Sequence, residues 1–351
     1  QQTWGPVMAK GIEDTTFYRW HRLVALNEVG GDPTVLDEAG PQALHSWAAR
    51  QQESWPLGMT TLSTHDTKRS EDVRARLIAV AGDAAAWERC SRVFGEAAEQ
   101  AGVDRPTGHL LWQTLVGAWP ISPDRLHGYL TKAVREAKQH TAWVDGDPDY
   151  EARVLALADT AVAAGPMREA VEDALARSAG AVRATVLGAK LLQLLLPGVP
   201  DTYQGCELVD LSLVDPDNRR PVDFDTRGTR LGRLESGPPE DLDDEKLLVT
   251  SRALRLRRDL SAAFDADGSY EPLATSNEHA VAVCRGGAVA GVVARAPHHL
   301  AATGGWGTGT VRLPGGRWRD ELTGREVPGG EVPLVDLLAT LPVALLRRTG
   351  E

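Results

Sequence analysis

The stretch Met59–Asp72 constrains this chain more than any other. Met59-Thr60-Thr61-Leu62 is a short apolar and β-branched run, which suits a buried strand. The chain then turns abruptly polar at Ser63-Thr64-His65-Asp66, where a histidine and a carboxylate stand side by side. Lys68, Arg69, Glu71 and Asp72 follow, leading into the helical pattern Val73 to Val80. In a barrel of parallel strands, polar groups at the carboxyl end of a strand are where active sites sit. That order makes Asp66 the first candidate for chemistry. A hydrogen-bonded turn of His65 and Asp66 capping the next helix is the competing reading, and the local pattern leaves both open.

The chain has 351 residues, enough for a large core and for two domains. With 42% hydrophobic and 25% charged residues it has the composition of a globular protein, which excludes a disordered one. A formal net charge of -11 argues against a duplex nucleic-acid surface. Cys90, Cys206 and Cys284 are odd in number and far apart, a usage that fits a reducing, cytoplasmic compartment and offers no zinc spacing. His45, His109 and His127 are scattered without ligand spacing, so no metal and no cofactor is expected. The longest apolar run, Leu191 to Leu196, is too short to cross a bilayer, so no membrane is expected either. The opening Gln1-Gln2-Thr3-Trp4-Gly5-Pro6 has neither the basic start nor the apolar core of a leader and reads as if it began inside a fold. The expectation is a fragment.

In chain order, residues 1–29 crowd Lys10, Glu13 and Asp14 against Phe17, Tyr18 and Trp20. Lys10 could hold ionised Glu13 or Asp14, or Asp14 or Thr15 could cap a helix whose aromatics pack inward; both readings stand. From Asp32-Pro33-Thr34 the spacing predicts a helix through Leu36 to Gln52, interrupted at Pro41, which could split it into two pieces. Residues 83–180 read as one helix after another, far longer than an ordinary connection, which predicts a helical subdomain inserted into a barrel. Trp87, Trp112 and Trp119 are expected in its core. At one helix end, Lys138, His140 and Trp143 could reach over a cleft, or the cations could simply oppose the helix dipole. Residues 181–262 carry a long apolar helix, the stop Pro197-Gly198-Val199-Pro200, a charged loop through Asp217 and Arg219, and a final basic helix. After Pro272 short strands punctuated by glycine and proline predict an antiparallel β-sandwich over 263–351, with a hairpin around Arg285-Gly286-Gly287 and separate strands at 309–313 and 318–322. The fold class read from this is α/β plus all-β: the C-terminal part of a (β/α)8 TIM barrel (residues 1–82 and 181–262) with its helical insertion, then the sandwich. Only two strand-and-loop units of the barrel are clear, so the other strands are expected upstream.

These motifs add up to a resemblance. Thr64-His65-Asp66 resembles the last carboxylate motif of the α-amylase-like enzymes, glycoside hydrolase family 13, and Pro197-Gly198-Val199-Pro200 with Tyr203-Gln204-Gly205 and Glu207 looks like their final barrel strand. Three longer strings are more specific: residues 5–15 around Lys10-Gly11-Ile12-Glu13-Asp14, residues 63–74, and residues 210–223 around Asp215-Pro216-Asp217-Asn218-Arg219. Together they resemble the maltooligosyl trehalose synthases, isomerases of trehalose biosynthesis. The resemblance implies an intramolecular transglucosylation, in which the reducing-end α-1,4 link of a maltooligosaccharide becomes α,α-1,1. It implies a retaining double displacement by one carboxylate as nucleophile and another as acid. It implies that Asp66 is the third carboxylate, stabilising the transition state, with His65 a neighbouring hydroxyl ligand. Lys68 and Arg69 would lie near the acceptor glucose, and Asp217 and Arg219 would line the donor side. Lys10, Glu13, Asp14, Lys138, Trp143 and Tyr203 complete the substrate-binding set.

The departures matter as much. The nucleophile and general acid of that family precede the third carboxylate in chain order, and no such motif precedes Asp66 here. They are expected in an upstream N-terminal portion, which the chain needs as a partner, and the fragment alone is expected to be inactive. Two other readings are a hydrolase of the same superfamily and a non-catalytic glucan-binding module.

Overall fold

The computed structural model describes residues 13–31 and 40–350, with Thr3 by itself near the start. Packing divides them into two compact units. One holds the described residues up to Gly31 with 63–179 and 210–221; the other holds 40–62, 180–209 and 222–350.

The first unit is helical. Its helices run Glu71–Ala81, Ala84–Gln100, Arg105–Ala118, Pro123–Ala137, Pro148–Val162 and Pro166–Arg177. Their starts are written in the sequence: Asp83, Asp104 and Asp147 each accept a hydrogen bond from a backbone amide of the first turn, and four of the six carry proline at the first or second position. Arg105–Ala118 is the central helix, because every residue from Leu110 to Ala118 is buried. Neighbours come close enough to demand glycine there: a Cβ on Gly117 would meet Val73 Cγ1 at 2.6 Å. Trp87 and Trp112 pack edge to face with centroids 4.5 Å apart. Gln113, fully buried, accepts from the Val24 amide at 2.9 Å and donates to the His21 carbonyl at 2.7 Å, fastening the opening segment to this helix.

The second unit is where strands lie. β1 (Met59–Thr60) and β2 (Val199–Pro200) pair in parallel, although well over a hundred residues separate them in sequence. Parallel pairing across a long crossover is the signature of a (β/α) architecture. Gly198 permits the approach, since its φ is +125° and a Cβ there would meet the Gly58 oxygen at 2.7 Å. Six further strands, β3 (Tyr270–Pro272), β4 (Ala280–Arg285), β5 (Val289–Ala294), β6 (Thr310–Asp320), β7 (Glu326–Pro333) and β8 (Val343–Gly350), form one antiparallel sheet in the order β3-β4-β5-β8-β6-β7. Gly286 and Gly287, both at positive φ, close the β4–β5 hairpin.

The strand period of two assigns each side chain to a face. Val281 and Val283 of β4, Val289 and Val293 of β5, and Val343 and Leu345 of β8 enter a core shared with helices Ala179–Leu195 and Leu242–Asp259. Their alternates Ala282, Cys284, Ala290, Val292, Ala344 and Leu346 enter a different core with Trp318 and Leu334. The boundary expected near residue 262 therefore does not divide one core from another: the sheet is packed on the preceding helices. The two strands expected at 309–313 and 318–322 are one strand, β6, interrupted by a bulge between Leu313 and Arg317 where Pro314-Gly315-Gly316 breaks the register. The start of the helix expected from Asp32-Pro33-Thr34 lies outside the described residues, and its remainder is the helix Pro41–Ser54.

Gly291 is where helix meets sheet, because a Cβ there would lie 2.1 Å from Leu195 Cδ1. Gly291→Val is expected to lower unfolding stability by about 1–3 kcal/mol through overpacking. Urea unfolding followed by circular dichroism checks this, and an unchanged midpoint would refute the seating of the helix on β5.

Candidate active site

The candidate site belongs to the helical unit and is built on a short 3-10 turn, His65–Thr67. Thr64 caps it, its hydroxyl accepting from the amides of Asp66 (3.2 Å) and Thr67 (3.3 Å). Lys68 ends the turn in the left-handed region at φ +59°, a costly conformation for a residue with a side chain. That twist sends the ammonium inward. Lys68 is 1% exposed, and its Nζ donates to Asp14 Oδ1 at 2.5 Å and Asp66 Oδ1 at 3.1 Å. It also lies 5.9 Å from the centroid of the Tyr18 ring. Burial pushes the Tyr18 phenol well above its ordinary range. The Asp66 side chain keeps 34% of its surface open.

A second loop is tied alongside. Ser70 N donates to the Ser212 carbonyl (3.0 Å), Ser70 Oγ to the Asp210 carbonyl (2.6 Å), and Asp210 N to Asp72 Oδ2 (2.7 Å). These bonds bring residues 210–219 beside the Asp66 turn. Asp215 Oδ1 then lies 3.7 Å from His65 Nδ1 and accepts from Lys132 Nζ at 2.8 Å. The Lys132 hydrogen bond, first among several cationic neighbours, holds the Asp215 carboxyl below the usual range. Asp217 accepts a fork from Arg125, 2.7 Å to Nε and 2.8 Å to Nη2, and a third bond from the Leu213 amide at 2.7 Å. Burial pushes its carboxyl up, but Arg125, the amide and Arg220 outweigh that and hold it below the usual range.

One helix face braces both loops. Arg125, Tyr129 and Lys132 recur at i, i+4, i+7 on Pro123–Ala137 and reach Asp217, Arg69 and Asp215 respectively. At the end of that helix, Arg19 Nε donates to the Ala137 carbonyl at 2.6 Å and Nη2 to the Lys138 carbonyl at 3.3 Å. The Lys138 segment is thereby fastened to the segment that carries Asp14.

No family model matches the chain. A protein of Mycobacterium tuberculosis, provisionally described as a maltooligosyl trehalose synthase, is 42% identical over 359 residues, covering 99% of this chain and 45% of its own. The solved structure of maltooligosyltrehalose synthase from Arthrobacter ramosus superposes with a TM-score of 0.91 at 45% identity, over 99% of this chain and 46% of that one. Over nearly its whole length the chain is similar to maltooligosyl trehalose synthases. It spans somewhat under half the length of the relatives it matches. A structure titled a hypothetical maltooligosyl trehalose synthase of Sulfolobus tokodaii extends the match to a TM-score of 0.76 at 27% identity, covering 97% of this chain and 46% of its own. The architecture is that of glycoside hydrolase family 13, part of a TIM barrel with a helical region and a sandwich-like antiparallel sheet, the class read from sequence.

Of the residues that sequence singled out in this maltooligosyl trehalose synthase relative, the structure gathers Asp14, His65, Asp66 and Lys68 at one place, with Arg219 3.5 Å from Asp215. Glu13 lies on the Asp14 segment, and its buried Oε2 has no hydrogen-bond partner among the described residues. Lys10 lies outside the described residues. Arg69 and Asp217 differ from expectation. Arg69 is 2% exposed and donates to the Tyr129 hydroxyl at 2.7 Å; the Asp217 side chain is 9% exposed with both oxygens engaged. Neither side chain is open to a sugar here, so both act as internal struts. Lys138 is exposed at a left-handed helix end, and the exposed Trp143 indole donates to Glu136 at 3.0 Å with Arg135 stacked at 5.0 Å. Tyr203 is half-exposed in the other unit, in the loop after β2.

Sequence reasoning missed the Arg125-Tyr129-Lys132 stripe, Tyr18 as a wall and Asp215 as a hub. The stripe had a signal: cation, aromatic and cation at one-face spacing on an otherwise amphipathic helix. Asp14, His65 and Asp66 offer ligand atoms within 4.8 Å of one another, but the Lys68 ammonium already fills the cation position between the carboxylates.

Asp217→Ala is expected to cost about 3 kcal/mol at neutral pH by leaving Arg125 unpaired. A depressed carboxyl contributes stability that is complete above its unfolded pKa, near about 4, and lost as pH falls through the folded value. The stability difference between parent and variant should therefore stay constant down to about pH 5 and shrink steadily towards about pH 2. Denaturant titrations across that range test it; a difference insensitive to acid would refute the ionised fork.

Proposed function

We propose that this chain is a portion of a maltooligosaccharide mutase, converting the reducing-end α-1,4 link to α,α-1,1. In this reading Asp66 is the carboxylate that stabilises positive charge at the anomeric carbon. The observation that carries it is the partly open Asp66 carboxylate, braced from behind by the buried Lys68. A fixed carboxylate needs no reorganisation as oxocarbenium character develops, which is where preorganised charge contributes most. Lys68 is a positioning residue in this scheme: it holds Asp66 in place, while Asp14 balances its charge.

The nucleophile and general acid are proposed to come from the rest of the enzyme. Met59 is 78% exposed, and Trp55, Leu57 and Val199 are exposed beside it on or near β1 and β2. Apolar side chains on barrel strands call for neighbouring strands, and the two such strands among the described residues fall well short of the eight a barrel needs. The upstream portion is the partner that supplies them. The substrate is a neutral α-1,4-glucan. A cytoplasmic location belongs to the same proposal and rests on three buried cysteines widely spaced in the sequence.

Mutase chemistry requires the released glucose to turn in place before water intercepts the glycosyl-enzyme. The Lys138–Trp143 segment, clamped by Arg19, is proposed to help close that pocket. With the complete enzyme and maltopentaose, Asp66→Asn should lower kcat by at least about 10²-fold with folding intact, as expected for removing preorganised transition-state charge. Proton NMR of the products reads the linkage: an α,α-1,1 signal supports the mutase, and free glucose alone would make the enzyme a hydrolase of the same superfamily. Trp143→Ala should raise the ratio of glucose to α,α-1,1 product, and an unchanged ratio would remove that segment from the closure.

A further inference from the structure

The antiparallel sheet carries a cluster that the proposed reaction does not use. Glu278 and His279 lie at the entry to β4, and His299 lies on the short helix Pro297–Ala302. Their ligand-capable atoms all fall within 4.8 Å of one another. His279 Nε2 is 3.9 Å from Glu278 Oε1, and the two imidazoles meet edge to face with centroids 4.9 Å apart.

His279 is the telling member. Its side chain is 5% exposed, and its buried Nδ1 has no hydrogen-bond partner. No hydrogen bond to Nε2 compensates among the described residues, although a buried imidazole ordinarily satisfies at least one nitrogen. Its backbone is pinned on both sides: the His279 amide donates to Asn277 Oδ1 at 2.9 Å, and its carbonyl accepts from the Arg295 amide at 2.7 Å. Arg295 Nη1 donates to the Glu278 carbonyl at 3.3 Å, a cation held on the backbone side of the cluster. The other two ligands are exposed side chains, free to adjust around a fixed one.

We infer that Glu278, His279 and His299 form a binding site for a divalent transition ion of the zinc class, clipping the helix Pro297–Ala302 to the entry of β4. Two imidazoles and one carboxylate are a borderline donor set that suits zinc over magnesium or calcium. Tetrahedral coordination at about 2.0–2.2 Å places ligand atoms roughly 3.3 Å apart. Rotation of the exposed Glu278 and His299 side chains toward His279 supplies that contraction, and water takes the fourth position. The role is structural and independent of the proposed glucan chemistry.

The test is equilibrium dialysis and thermal unfolding with zinc chloride, with magnesium chloride as the control. The intact protein should bind one zinc ion per chain and rise in Tm, and cobalt in its place should give the visible absorption of a tetrahedral site. His299→Ala, an exposed position where folding should survive, should weaken zinc binding at least tenfold and abolish the rise in Tm. His65→Ala, which removes a ligand from the cluster at Asp66, should leave zinc binding unchanged. Sub-stoichiometric zinc in the intact protein, undiminished binding in His299→Ala, or loss in His65→Ala would each overturn the site.

Discussion

The candidate site depends on one buried cation. Lys68 places its ammonium between Asp14 and Asp66, two carboxylates whose segments lie more than fifty residues apart in sequence. An ammonium removed from water is tolerated only when it is paired closely, because the desolvation of an isolated charge costs several kcal/mol. The left-handed turn at Lys68 is what allows the side chain to reach inward, and the Thr64 cap fixes that turn. Take the ammonium away and the cation that joins the two carboxylates is lost. Backbone strain, burial and charge placement are thus aspects of a single arrangement whose outward product is a fixed Asp66.

Around that centre, the loops are held by charge-assisted bonds rather than by regular structure. Residues 210–219 make no strand of their own beyond an isolated bridge between Leu213 and Arg69. They are held by carboxylates that accept several donors each, and by a helix face whose Arg125, Tyr129 and Lys132 address three different anchors. Forked guanidinium–carboxylate pairs fix orientation as well as distance, which suits a loop that must hold shape at a site. The same logic explains why Asp217 and Arg69 face inward.

The other unit relies on packing. Its sheet separates two cores by simple alternation, and glycine sets how closely layers approach, at Gly291 under Leu195 and at Gly198 beside β1. Sharing one core with helices Ala179–Leu195 and Leu242–Asp259 makes the sheet a continuation of the preceding segment and not a separate appendage. The buried imidazole of His279 stands out in this setting because its Nδ1 has no hydrogen-bond partner among the described residues.

Much of this was legible in the sequence by itself. Helix starts were, because Asp caps and early prolines act within a few residues; Glu71–Ala81 is a local pattern, and so are the alternating valines of β4 and β5. Asp66 could be singled out as a candidate because a strand-like run ending in a polar cluster, together with the long strings around it, is local and specific. Tertiary structure decided the rest. That Lys68 turns inward, that Asp217 is a strut, and that Arg125, Tyr129 and Lys132 meet three anchors all depend on contacts spanning many tens of residues, which no local period records. The union of sheet and helices in one core, and the meeting of Glu278 and His279 with His299, were likewise settled only by folding. Sequence fixes the chemistry available at each position, while burial and partners depend on which distant segment arrives beside it.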